Sequence, residues 1–134
     1  MLKPFLQWLA FTLAGFGSLS GVYHLYLEQY PSRVLVVLDS SFPMQSDLAQ
    51  ARAVLNEIGN RRYTEFSLYT EKDIVHSWHP QLTADSVKFY APRDWSRLAS
   101  IEGNPEFSGA SDIILITNDP APSQPGNWTV VHLK

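Results

Sequence analysis

Arg33-Val-Leu-Val-Val-Leu-Asp39-Ser-Ser-Phe-Pro-Met44 is the stretch that decides the fold. Five consecutive aliphatic residues, three of them β-branched valines, lie between Arg33 and Asp39. A strand with one wet face alternates apolar and polar residues. An unbroken apolar run reads instead as a strand covered on both faces, as in a parallel sheet between helices. The same pattern recurs at Asp112-Ile-Ile-Leu-Ile-Thr-Asn-Asp119. In open α/β sheets ligands bind outside the carboxyl ends of the strands, so Asp39 and Asn118-Asp119 are expected to converge on a site.

The chain between these runs supplies the connections. Ser46 is placed to cap a helix running to about Ile58, with Leu48, Ala51, Leu55 and Ile58 on one stripe and Gly59 ending it. Arg61 to Thr70 alternates and predicts a second strand with one partly wet face, and Asp73 to Trp78 predicts a third, stopped by Pro80. Pro92 can open a short helix through Trp95, Leu98 and Ile101, ended at Gly103-Asn-Pro105. Asp112 to Thr117 is the fourth strand. After the Pro-rich loop PAPSQPG, Trp128 to Leu133 fits a last strand at the sheet edge. The expectation is a small α/β domain over residues 31 to 134, with a mostly parallel sheet flanked by helices. A thioredoxin-like layout opens with the same strand, loop and helix, but its paired cysteines are absent.

Residues 1 to 30 read differently. Phe5 to Leu27 contains no Asp, Glu, Lys or Arg. At about 1.5 Å per residue it reaches roughly 35 Å, enough to cross about 30 Å of hydrocarbon. A cleavable signal peptide would have an apolar core of about 7 to 15 residues, so an uncleaved transmembrane anchor is the expectation. Phe5 and Trp8 at one end, and Tyr23, Tyr26 and Tyr30 at the other, suit the two headgroup levels of a lipid bilayer. Lys3 precedes the span and Glu28 follows it, which favours a cytoplasmic N-terminus and a periplasmic domain on a bacterial inner membrane. Within the span, Gly17-Ser-Leu-Ser-Gly21, with Ala14 and Ser18 on adjacent rows, forms a small-residue face that another helix can approach closely. His24 lies near the far interface, where it can hydrogen-bond or face a pigment or haem.

The 134 residues carry a net charge of -3, with no basic run, so a nucleic-acid footprint is absent. Zero cysteines exclude a disulfide framework, a thiol nucleophile and thiolate metal ligation.

The strand ending in Asp39-Ser-Ser41, its following helix, the strand pair and Ile-Leu-Ile-Thr117-Asn-Asp119 together resemble a von Willebrand factor A-type domain, over about residues 33 to 134. In that family the first strand ends in Asp-x-Ser-x-Ser and the fourth in a Thr-Asp-Gly-like turn. With a Thr from an intervening loop, these hold one divalent cation that binds an acidic group on a partner. The resemblance therefore implies a Mg²⁺ site with Asp39 and Ser41 as ligands. It is a degenerate site: the third position falls on Pro43, the fourth-strand Asp is Asn118, with Asp119 one residue later, and the Thr-bearing loop is missing. The alternative for Asp39 and Ser41 is structural, bonding loop amides at a strand end.

Other polar candidates are weaker. His76 and His79 flank Trp78 at a spacing compatible with metal ligation or with a wet strand end. Tyr90, Trp78, Trp95 and Trp128 fit a small core or a protein interface. Ser40 and Ser41 lack a nucleophile-elbow context, and no phosphate or dinucleotide loop is present. The leading expectation is a non-enzymatic single-span accessory subunit of an integral membrane protein complex, of the respiratory or photosynthetic kind. The other is a metal-dependent adhesion module binding through Asp39, Ser41 and Asp119.

Overall fold

The computed structural model describes residues 2–123 and 125–134; Met1, and Gln124 of the expected Pro-rich loop, lie outside the described residues. Two compact units are present, Met1–Pro31 and Ser32–Lys134.

The first unit is one helix, α1 (Leu2–Gln29), none of whose described residues is buried. It is long and apolar enough, by length and composition, to cross a membrane. Pro4 is tolerated because the first turn has no partner for its missing N–H, and Pro31 bars continuation. The Thr12 and Ser18 hydroxyls donate to the carbonyls of Trp8 and Ala14, both at 2.8 Å, so these polar side chains are satisfied within the helix.

The second unit is an α/β domain built on a five-stranded mixed sheet in the order β3-β2-β1-β4-β5. Its strands are β1 (Ser32–Leu38), β2 (Thr64–Thr70), β3 (Ile74–His79), β4 (Asp112–Thr117) and β5 (Thr129–His132). β1 pairs parallel with β2 and β4, and β5 pairs parallel with β4. β3 pairs antiparallel with β2. The aliphatic run at Val34 to Leu38 therefore sits at the centre of the sheet, as its composition predicts. Its alternate side chains divide between two cores. Val34, Val36 and Leu38 join Ala51, Leu55 and Ile58 of α2 (Leu48–Gly59) on one face. Leu35 and Val37 join Leu98, Ile101 and Phe107 of α3 (Leu98–Ile101) and α4 (Pro105–Gly109) on the other. Each fully buried aliphatic side chain contributes about 1.5–3 kcal/mol relative to exposure, so β1 anchors both layers.

Four expectations need correction. Ser46 does not cap α2: a 3-10 helix spans Phe42–Asp47, the Ser46 hydroxyl donates to the Pro43 carbonyl at 3.2 Å, and α2 starts at Leu48. The strand expected from Arg61 starts at Thr64, because Tyr63 takes a positive φ of 52° that no strand continues through. β2 has no wet face beyond Thr64 and Glu65, since Phe66 and Leu68 pack into the first core, Tyr69 packs into the second, and Phe66 to Thr70 are all buried. Pro92 opens no helix. Asp94 does so, its carboxylate accepting the Ser96 amide at 2.9 Å, and Pro105 starts α4 where a terminator was expected.

Candidate functional site

The carboxyl ends of β1 and β4 meet at the point where the strand order reverses, the position at which open α/β sheets form their crevice. Asp39 continues β1 there and is fully buried. A carboxylate out of water needs both hydrogen bonds and countercharge. Its Oδ1 accepts from the Ser41 amide at 3.0 Å and the Ser41 hydroxyl at 2.6 Å. Its Oδ2 accepts from the Thr117 hydroxyl at 2.7 Å and from Arg93 Nε at 2.8 Å.

Arg93 thus stands among the strand ends. Its Nη2 also donates to the Asn118 side-chain oxygen, and its Nη1 lies 3.8 Å from Asp119 Oδ2. Asn118 donates from Nδ2 to the Pro43 carbonyl at 2.9 Å and to Asp47 at 2.6 Å, tying β4 to the loop after β1. Asp119 accepts the Trp95 indole N–H at 2.8 Å and the Ala121 amide at 3.1 Å. The indole bond, then the amide bond, hold the Asp119 carboxyl below its usual range, and Arg93 adds to this.

A second buried acid sits beside the first. Glu71, immediately after β2, is fully buried and accepts the Ser40 amide at 2.7 Å and the Ser40 hydroxyl at 3.0 Å. Lys72 Nζ is 2.8 Å from its Oε1 and also donates to the Ser40 hydroxyl at 2.9 Å and the Tyr90 carbonyl at 2.8 Å. The same ammonium lies 4.5 Å from the centre of the Tyr90 ring.

Residues 80 to 94 form an irregular strap: Leu82, Ala84, Val87 and Phe89 pack on the first core, and Tyr90 to Arg93 reach this edge. Tyr90 donates its amide to the Ser40 carbonyl at 2.9 Å, and Phe42 donates its amide to the Ala91 carbonyl at 3.0 Å. Ala91 holds a positive φ of 69°, a left-handed conformation costing about 1–2 kcal/mol for a residue with a Cβ. Such a conformation persists where its surroundings over-determine it, and the Lys72, Ser40, Phe42 and Arg93 bonds on either side do so.

Asp39, Ser41 and Asp119, singled out in the sequence, are therefore brought together around Arg93, with the Ser41 hydroxyl spent on Asp39. Trp78, Trp95 and Trp128 all pack on the second core, with Trp128 buried. His76 and His79 have ring centres 6.3 Å apart, and the His76 Nδ1 is 2.9 Å from the Ser77 carbonyl oxygen. Among the described residues no group of three or more His, Cys, Asp or Glu is arranged to hold a metal ion. In α1, a Cβ built on Gly17 or Gly21 meets nothing within 4 Å, and His24 Nε2 lies 3.3 Å from Glu28. Sequence reasoning missed Arg93, Glu71, Lys72 and Thr117. Glu71 was within reach of the rule applied to Asp39, since each of the three central strands runs directly into an acidic or amide side chain.

No protein-family model, curated protein or solved structure matches this chain.

Proposed function

We propose that this chain is a single-span, non-enzymatic scaffold subunit of a larger membrane protein complex. Its α/β domain is a shortened A-type-like module in which an internal arginine stands in for the family's divalent cation. The observation that carries this reading is the Arg93 guanidinium, 2.8 Å from Asp39 and bonded to Asn118. The cation's work is to offset a buried carboxylate and hold the strand ends together, and Arg93 does both as a covalent part of the chain. As arranged, the residues do not fit Mg²⁺. The Asp39 oxygens are engaged by four protein donors, one of them the positively charged Arg93 guanidinium.

Support for a non-catalytic role comes from the two serines. Ser40 donates to Glu71 and Ser41 to Asp39, and both serines are buried, so each hydroxyl is committed to holding a buried carboxylate. Support for membrane anchoring comes from α1, with its uncharged span and small-residue face at Ala14, Gly17, Ser18 and Gly21. In this reading the helix packs among integral membrane subunits in the bilayer of a bacterial inner membrane, N-terminus inside, with the domain on the periplasmic side.

Purification of the intact chain from its native membrane in mild detergent is the test. A stoichiometric, salt-resistant membrane partner is expected, and a chain that runs alone refutes the reading. Saturable Mg²⁺ binding by the intact chain in calorimetry would instead favour a metal-dependent adhesion module.

A further inference from the structure

We propose that the free edge of β5 accepts an extended segment of a partner protein, which adds a sixth strand to the sheet and seats aliphatic side chains beside Val131. This rests on the scaffold reading above and names how the partner is held. β5 is the last strand of the sheet, and among the described residues no strand lies beyond it. The Leu133 amide donates to the Thr117 carbonyl at 2.9 Å, so Leu133, Val131 and Thr129 turn their main-chain groups toward β4. By alternation Val130 and His132 turn theirs outward. A row of open main-chain donors and acceptors is matched by one kind of occupant, another strand.

The two edges of the sheet differ in how they are guarded. β3, at the opposite edge, is broken by two register shifts against β2 and stops before Pro80, both of which blunt an edge against further pairing. β5 keeps an unbroken register with β4 from Thr129 to His132 and carries no Pro and no Lys, Arg, Asp or Glu. Beside it, on the face that carries α2, lies a depression of about 520 Å³. Val54 and Ile58 of α2, Ile114 of β4 and Val131 of β5 supply its apolar lining. Val131 packs against the first core yet stays only half-buried. Every second side chain of an added strand would stand over this face next to Val131, so the depression fits aliphatic residues at alternate positions. Glu57 and Arg61 also border it with opposite charges, and Arg61 lies 3.7 Å from Asp112, so main chain and aliphatic rows rather than charge select the occupant.

A second copy is the other strand to weigh. Pairing β5 with its own copy about a two-fold is antiparallel and runs the two sheets in opposite directions. The start of β1 follows α1 after only Tyr30 and Pro31, so the anchored ends of the two copies would point opposite ways. That conflicts with two chains anchored side by side in one membrane. A partner segment carries no such constraint.

The test uses the full chain in nanodiscs of neutral lipid and the synthetic peptide Ser-Val-Thr-Val-Thr-Val-Ser, followed by amide chemical shifts. Saturable shifts are expected at residues 130–132 and, across the depression, at Val54 and Ile58. Val130→Pro removes an outward N–H that β4 does not use, so the domain should stay folded while the peptide binds at least about tenfold more weakly. A second comparison leaves the protein untouched, with the peptide N-methylated either at its three valines or at its two threonines, each form losing the donors of one edge. One form should bind like the parent peptide and the other at least about tenfold more weakly, and the one that fails reads the direction of the added strand. No saturation, shifts centred elsewhere, or equal binding by the two methylated forms would overturn the acceptor edge. Val130 and His132 amides already protected from exchange without peptide, in a disc holding two chains, would assign the edge to a second copy and overturn the partner segment. If the peptide fails while a membrane partner still copurifies, the scaffold reading stands alone. If it binds while the chain runs without a partner, the scaffold reading falls and the acceptor edge remains.

Discussion

Arg93 Nε lies 2.8 Å from Asp39 Oδ2, joining residues 54 positions apart and fastening an irregular strap to the central strand of the sheet. The pair is asymmetric. Asp39 is fully buried, whereas the Arg93 side chain keeps 20 % of its surface. The arginine's aliphatic stem and planar head bridge the wet rim to the dry strand end, and its ring-face neighbour Trp95 lies 5.8 Å from the guanidinium carbon. A lysine would supply charge but not the fork that reaches Asp39 and Asn118 together.

Removing that countercharge is therefore expected to cost more than a surface ion pair would. Arg93→Ala leaves the Asp39 carboxylate buried with only neutral donors, and should lose about 3–5 kcal/mol in urea unfolding. Adding Asp39→Asn to it should restore part of the loss, because the uncompensated charge is gone. A double-mutant cycle reads the coupling, and additive losses would contradict the pairing.

Glu71 and Lys72 should behave in parallel on the other side of Ser40. Lys72→Met strands a fully buried carboxylate and should destabilise by about 3 kcal/mol or more, whereas Lys72→Met with Glu71→Gln should be milder than the single change. Because Lys72 also bonds the Tyr90 carbonyl, amide exchange at Tyr90 and Ala91 should speed up in the single variant.

Asp119 predicts an acid-side dependence. Its native pKa lies below the unfolded value of about 3.9, so the stability it adds is present above that range and is lost as the pH falls through the native pKa. Asp119→Asn should consequently be less stable than the parent at neutral pH, with the gap closing as the solution is acidified. A gap independent of pH would mean that ionisation of Asp119 adds no stability and that the loss comes from the amide's geometry alone.

Much of this was legible in the chain and some was not, for physical reasons. The Val34 to Leu38 and Ile113 to Ile116 runs announce a two-sided sheet because burial on both faces leaves no polar alternation. The edge strands and the helix stripe follow from period alone. Arg93 could not be found that way. Its partners are remote in sequence, and residues 80 to 94 carry no period, since an irregular strap is fixed by individual bonds such as Phe42 to Ala91. Ser46 failed as a cap because the chain first turns through a 3-10 helix led by Pro43, which leaves the hydroxyl bonded backward to Pro43 rather than forward to α2.

Tyr69 supplies the alkaline counterpart. Burial, then the hydrogen bond to Glu106 at 3.1 Å, raises its phenol pKa to about 12 from 10.0. A raised native pKa means the stabilisation is complete below the unfolded value and disappears as the pH rises through the native one. Unfolding monitored from pH 10 to about 12 should therefore show a loss of stability that Tyr69→Phe lacks. The same variant should cost little at neutral pH beyond one hydrogen bond, about 1 kcal/mol.

The small-residue face of α1 carries the last expectation. A Cβ at Gly17 or Gly21 meets nothing within 4 Å inside the chain, so Gly17→Ile and Gly21→Ile have no clash of their own to pay for. Any defect they cause must come from a neighbouring helix held at close range, where small residues let backbones approach. Both substitutions should leave thermal unfolding of the α/β domain unchanged while reducing recovery of the membrane partner in mild detergent. Isoleucine at Leu9 or Leu19, outside that face, should leave the recovery intact. If all four variants retain the partner equally, the helix contacts it through another face, and the glycines serve only the helix itself.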